Sequence, residues 1–417
     1  AAGERIMSEL TLKTGQEGTT GDQFKAYFSR LRAGDMGALP AIAALLILAA
    51  LFASLSPYFL TLINFANLFV QAATLMMLSA ALVFVILIGE IDLSAGVTAG
   101  TGMAIFVKLQ LGGMNWMLAL ALAFVLALVT GWVIGSFVAR IGVPSFVVSL
   151  GFYLAFPGVM LMILGDGGVL RLEVPEISAI MNSSLPVWGG WVLLALCLIV
   201  TTAMGLWDRA RRTKAGLPSR PISFLILKVG GVAILGGATV AILNMNRSLN
   251  SFKPIQGVPL VIPFALTILF IATFMLDRTR FGRHLYAVGG NPEAARRAGI
   301  KVARIRITAF MICSVLAMIS GIFNVSRIGN VESSAGKAIV LSGVAAAVVG
   351  GVSLFGGRGR LAHAAIGAFV IAIIDNGLGL IGMSAGVNWM VTGGVLLVAA
   401  TVDALARKRS GGSLTRL

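Results

Sequence analysis

The stretch MGALPAIAALLILAALFASLSPYFLTLINFANLFVQAATLMMLSAALVFVILIG, residues 36–89, contains no charged side chain. As one continuous helix it would measure about 81 Å, against a hydrocarbon core of roughly 30 Å. It must fold back on itself, and Ser54-Leu55-Ser56-Pro57 supplies the turn. The rest of the chain has the same character. Of its 417 residues 58% are hydrophobic and 12% charged, and mean hydropathy is +0.96. A soluble surface needs about a quarter of the residues charged, so a water-facing fold is excluded. The 51 glycines suit helices that approach closely in lipid.

The same length argument, applied to each apolar run, predicts an all-α polytopic membrane protein of about twelve spans. They lie near 39–55, 68–89, 93–110, 116–139, 143–164, 189–206, 224–243, 259–276, 306–323, 338–355, 362–382 and 386–403. Residues 1–38 hold no apolar run, so no cleavable signal is expected there. In that segment Phe24, Tyr27, Phe28 and Leu31 recur at helical spacing beside Lys25, Arg30 and Arg32, which predicts a short helix lying on the membrane surface. The membrane-embedded body is expected over 39–403, with a loop at 277–304 and a tail at 404–417.

Sidedness follows from the cations. With twelve spans both ends share one side, and that side collects 25 of the Lys and Arg residues against six on the other; Lys228 sits at a boundary. The positive-inside bias therefore puts both termini in the cytoplasm. It also accounts for the net charge of +16 without nucleic acid. Cys197 and Cys313 fall within apolar runs and read as packing residues. His284 and His363 stand apart, and neither they nor any other residues suggest a metal site or a catalytic group.

No phosphate-binding loop is present: Gly336-Lys337 is followed by Ala338 and lacks the glycine five residues earlier. Deep ionisable groups are few, namely Asp375 within a span and Glu90 and Asp92 at a span end, which makes an ion relay thin. Energy from a partner protein is the expected arrangement. The loop after Asp277 fits such a partner. Asn291 can cap a helix that starts at Pro292, Glu293 suits its N-terminal end, and Gly299 can stop it. Within it, Ala294 and Ala295 offer small faces and Arg296 and Arg297 supply charge. A solvated basic loop near anionic lipid is the plain alternative.

Glu293-Ala294-Ala295 followed by Gly299 resembles the EAA loop of binding-protein-dependent ABC permeases. Gly89-Glu90-Ile91-Asp92-Leu93-Ser94-Ala95-Gly96 is similar to the signature of the ribose/xylose/galactose branch. So are the segment from Arg280 to Asn291, the segment Gly350 to Gly359 with Gly356, Gly357 and Arg358, and Asp375-Asn376-Gly377. The pattern is nearest the D-xylose type, since ribose-type permeases lack a section corresponding to the two extra spans at about 189–250. Ala95 stands where the branch often has a bulkier aliphatic residue.

This resemblance implies a bacterial inner-membrane, non-catalytic permease that works as a homodimer. It implies a cytoplasmic ATP-binding subunit that holds ATP and magnesium, and a periplasmic sugar-binding protein. It also implies that Asn291 to Gly299 forms the helix coupled to the ATPase. A proton-driven sugar carrier and a non-transporting scaffold or receptor are the rival classes. Ribose, galactose, a nucleoside or a signalling furanose are rival cargoes.

For the solute path the residues offer Asp375 with Asn376, and the stripe Asn64, Asn67 and Gln71 at i, i+3, i+7. A polar tie between helices explains the first pair equally well, and contact with head groups explains the stripe better. Asp92 is expected to cap the helix opening Leu93-Ser94-Ala95-Gly96. Gly96 with Gly100, and Gly131 with Gly135, have the spacing of close helix contacts.

Overall fold

The computed structural model describes residues 39–165, 168–216, 221–248 and 254–411. The surface helix expected within 22–32 and the last six residues of the tail lie outside this range. In chain order the elements begin with α1 (Leu39–Leu55), α2 (Leu62–Ile86), α3 (Ala95–Leu111), α4 (Trp116–Ser136, closed by a wide turn Phe137–Ile141), α5 (Ser145–Leu164), β1 (Val169–Arg171) and α6 (Pro175–Asn182). There follow α7 (Val187–Lys214), α8 (Ile222–Asn244), α9 (Val261–Arg278), α10 (Arg280–Gly290), α11 (Pro292–Arg297) and α12 (Val302–Ile328). The chain closes with β2 (Asn330–Glu332), α13 (Lys337–Val349), α14 (Leu361–Leu380) and α15 (Ala385–Gly411).

Helix stands at each of the twelve places where the apolar runs called for it. Among the described residues nine helices are long and apolar enough to cross a membrane, while α1, α3 and α13 are shorter. The chain is an all-α polytopic membrane protein, with one small ribbon among the described residues. In it β1 pairs antiparallel with β2, with Leu170 opposite Val331. Three residues per strand leave no legible alternation, so the sequence carried no sign of it.

The helix limits moved for local reasons. α2 begins six residues earlier than expected because Thr61 caps it, accepting from Asn64 N–H. α7 runs on to Lys214, where Arg211 lies over the Trp207 ring at 5.3 Å. α13 stops at Val349 instead of 355, about 20 Å long, because the Gly350–Gly359 segment turns sharply through several positive-φ glycines. α10 was expected as loop. Thr279 caps it, and Phe281, Leu285 and Val288 give it an apolar face with Leu285 and Val288 buried. α15 continues beyond residue 403 to Gly411.

The chain divides into two compact units. One contains Ser184–Val258, wider than the expected 189–250 insertion, with α7 and α8 packed on each other. Its loop is pinned by Arg247, which is 7% exposed and whose guanidinium donates to the carbonyls of Leu243 and Gly257 and to Ser184 Oγ. The other unit holds Gly37–Ser183 and Pro259–Lys408. At its centre runs α2, buried without a break from Ala72 to Ile86 and packed on by α12, α14, α13 and α9. Two apolar clusters lie along it, one towards each end.

Glycines let the neighbours close in. A Cβ on Gly131 would stand 2.6 Å from Phe310 O, and one on Gly135 would stand 2.7 Å from Ile307 Cα, so α4 crosses α12 at backbone contact. Gly96 and Gly100 likewise face the carbonyls of Gly336 and Ala335.

Candidate coupling loop and solute path

α11 is short and built as its residues suggested. Asn291 is extended (φ −157°), and its Oδ1 accepts from Glu293 N–H at 3.0 Å and Ala294 N–H at 2.9 Å. Pro292 occupies the first turn, where no N–H is needed. Gly299 ends the helix at φ +82°, and Ile300 N–H returns to Ala295 O at 3.0 Å. Only Ala295 is buried; Glu293, Ala294, Arg296 and Arg297 face outward. Glu293 lies 3.7 Å from Arg296 and 3.4 Å from Arg297. The result is a capped, solvent-facing turn of helix with small residues and a charged rim.

Glu90 and Asp92 lie in the link between α2 and α3. Glu90 pairs with Arg306 of α12 at 3.4 Å, both side chains largely covered. Asp92 is fully buried. Its Oδ1 accepts from Ser94 N–H at 2.8 Å and from Ser94 Oγ–H at 2.5 Å. The helix starts at Ala95, so Ser94 is the capping position and Asp92 braces it from two residues earlier. That corrects the expectation that Asp92 itself caps α3. The chain from Glu90 to Ser94 is not yet helical, so the first turn of α3 begins beyond Asp92.

Asp92 Oδ2 has no hydrogen-bond partner among the described residues, and the buried Cys313 thiol lies beside the carboxyl. Burial pushes its carboxyl above the usual 3.8, outweighing the Ser94 bonds that pull it down. A raised folded value favours the neutral form, so this contribution to stability is complete below 3.8 and is lost as pH rises through the folded value. Thermal unfolding in detergent should therefore show a melting temperature that declines with rising pH in this window. Asp92→Asn, neutral and of the same shape, should flatten that decline; an unchanged slope in the variant would exclude Asp92 as its source.

The polar stripe on α2 splits. Asn64 is buried and exchanges two hydrogen bonds with Asn376 of α14, Nδ2 to Oδ1 at 2.9 Å and 2.8 Å, with a third from Asn64 to Phe59 O. These two form a helix tie. Asn67 is exposed and Gln71 half-buried. Asp375 lies about a turn and a half from the end of α14. The Asn388 side chain of α15 and Arg327 of α12 both lie within electrostatic reach of it.

Arg327 and Asn388 were not singled out in the sequence, where nothing marks a lone polar residue on another helix. Nor was Asn324, which opens on a small crevice between α2, α3, α12 and Gly336, lined also by Gly96, Gly100 and Ser320.

The segment Gly350–Gly359 forms a turn in which Ser353 N–H reaches Arg358 O and Ser353 Oγ donates to Asp403 Oδ2 at 2.9 Å. Arg358 is exposed, while Gly356 is buried.

The comparisons agree with one another. Residues 64–400 match the family described as branched-chain amino acid transport system / permease component. The xylose transport system permease protein XylH of Escherichia coli (strain K12) is 36% identical over 351 residues, 83% of this chain and 86% of that one. XylH of Haemophilus influenzae is 31% identical over 351 residues, covering 83% and 90%. The ribose import permease protein RbsC of Escherichia coli (strain K12) is 29% identical over 360 residues, covering 86% and 91%. No solved structure matches. By the extent of these matches, the chain belongs to the family of branched-chain amino acid transport system permease components.

Proposed function

We propose that this chain is the permease subunit of a binding-protein-dependent ABC importer for a monosaccharide, with D-xylose as the first candidate. Two copies surround the path, and both termini lie in the cytoplasm of a bacterial cell whose inner membrane holds them. A separate ATPase binds ATP and magnesium, and a periplasmic binding protein delivers the sugar. The observation that carries the reading is α11: a capped helix, exposed apart from buried Ala295 and half-buried Pro292, in a loop rich in cations. Small residues within a charged rim suit a groove on a partner. Similarity to permeases named for xylose and ribose narrows the cargo to sugars.

For the path, Asn67, Gln71, Asp375 and Asn388 offer hydroxyl-binding groups at membrane depth, and a charge there must face water or the bundle interior. Asn64 and Asn376 serve that path indirectly, by holding α2 to α14.

The test is reconstitution in lipid with the cognate ATPase and binding proteins loaded with xylose, ribose or galactose. Xylose should give the largest stimulation of ATP hydrolysis. Uptake by the permease alone under a pH gradient would overturn the reading in favour of an ion-driven carrier. Absence of flux with every partner would leave a scaffold or receptor.

A further inference from the structure

The end of α10, the turn after α2 and the Gly350–Gly359 segment meet backbone to backbone. Gly357 N–H donates to Leu87 O at 2.8 Å. A Cβ on Gly289 would stand 1.7 Å from Leu87 O and 2.8 Å from Gly357 N. One on Gly356, at φ +82°, would stand 2.8 Å from Gly89 N and 2.9 Å from Gly289 O. No side chain fits at these distances unless one of the three backbones moves. Tyr286, on the same helix as Gly289, donates its O–H to Gly359 O at 2.8 Å. Burial, with Asp277 adding to it, pushes that phenol up to about 12, so the donor keeps its proton at any working pH.

A contact between side chains can absorb a push by changing rotamer. A contact between glycine backbones has no rotamer to change. α11 buries only Ala295, so the firm hold on this loop lies at the end of α10. Beyond the contact, α2 is buried along its length and tied at its far end to α14 by the Asn64–Asn376 pair.

We infer that Gly289, Gly356, Gly357 and Tyr286 are positioning residues that make α10, the end of α2 and the Gly350–Gly359 turn one rigid joint. Through this joint a movement of α11 reaches the helices around the path. The inference rests on the coupling role proposed for α11.

The experiment uses the complete importer in lipid and reads three quantities: bound ATPase, sugar-stimulated hydrolysis, and sugar moved per ATP. Gly290→Ala is the control, since nothing lies within 4 Å of a Cβ there, and it should match the parent. Gly289→Ala should keep the ATPase bound while sugar moved per ATP falls about tenfold, within the range of ordinary coupling energies. Tyr286→Phe should lower that ratio about two- to fivefold. If Gly289→Ala fails to accumulate, Tyr286→Phe carries the test by itself, because it removes one oxygen and adds no bulk. A parental ratio in every joint variant that accumulates sinks the joint, as does a loss of transport that merely follows loss of bound ATPase. The two proposals separate at Glu293→Lys: if that variant also stimulates normally, the coupling role itself has failed.

Discussion

Glu293→Lys is expected to abolish sugar-stimulated ATP hydrolysis by the assembled importer while the permease still inserts and accumulates. The fold should tolerate the change. The ion pairs of Glu293 with Arg296 and Arg297 join side chains that are 57%, 71% and 81% exposed, and such pairs contribute about 0–1 kcal/mol. Asn291 continues to cap the helix through backbone N–H groups that the substitution leaves alone. Recognition should not tolerate it. Three cations would then crowd one exposed turn, with the new one at the positive end of the helix. A groove shaped for a mixed-charge rim would meet a uniformly positive one, and like-charge juxtaposition in an interface costs several kcal/mol. Co-purification with the ATPase and sugar-stimulated phosphate release measure both parts. Normal stimulation in the variant would remove α11 from the coupling interface.

The second large effect is expected in the fold itself. Gly336 sits at φ +88°, and a Cβ there would lie 2.0 Å from Gly96 O and 2.3 Å from Gly96 C. A Cβ on Gly96 would in turn lie 2.3 Å from Gly336 O. Gly336→Ala therefore combines left-handed strain, about 1–2 kcal/mol, with overpacking of about 1–3 kcal/mol. Gly329→Ala provides the comparison. Its φ is +81°, yet nothing lies within 4 Å of the added Cβ, so it bears the strain alone. Thermal unfolding in detergent should place Gly336→Ala well below Gly329→Ala, and the gap reads the overlap. Equal melting temperatures would mean that α3 and the start of α13 part without cost.

Much of the candidate site was legible because it is local. Asn291, Pro292, Glu293 and Gly299 each act on backbone groups within a few residues, so the start and stop of α11 could be read from their order. The apolar face of α10 was equally local, in Phe281, Leu285 and Val288, but the cations and glycines around it masked the period. Asp92 shows the limit of such reading. Its type and place suggested a cap, but a two-residue shift in where α3 begins put Ser94 at the cap position and left Asp92 bracing it.

From the sequence alone came the membrane class, the places of the apolar helices, the asymmetry of charge and the capped turn at 291–299. In lipid a segment must satisfy its own backbone hydrogen bonds and match the thickness of the bilayer, and both conditions depend on neighbours along the chain. Only the tertiary structure decided which polar groups meet. It joined Asn64 to Asn376 across 312 positions, set Asn388 beside Asp375, and stacked Gly289 on Leu87 and Gly357. Those choices depend on how helices cross, and lipid gives two apolar faces little reason to prefer each other. Small residues and buried amides then select the crossing, and nothing in the local sequence names their partners.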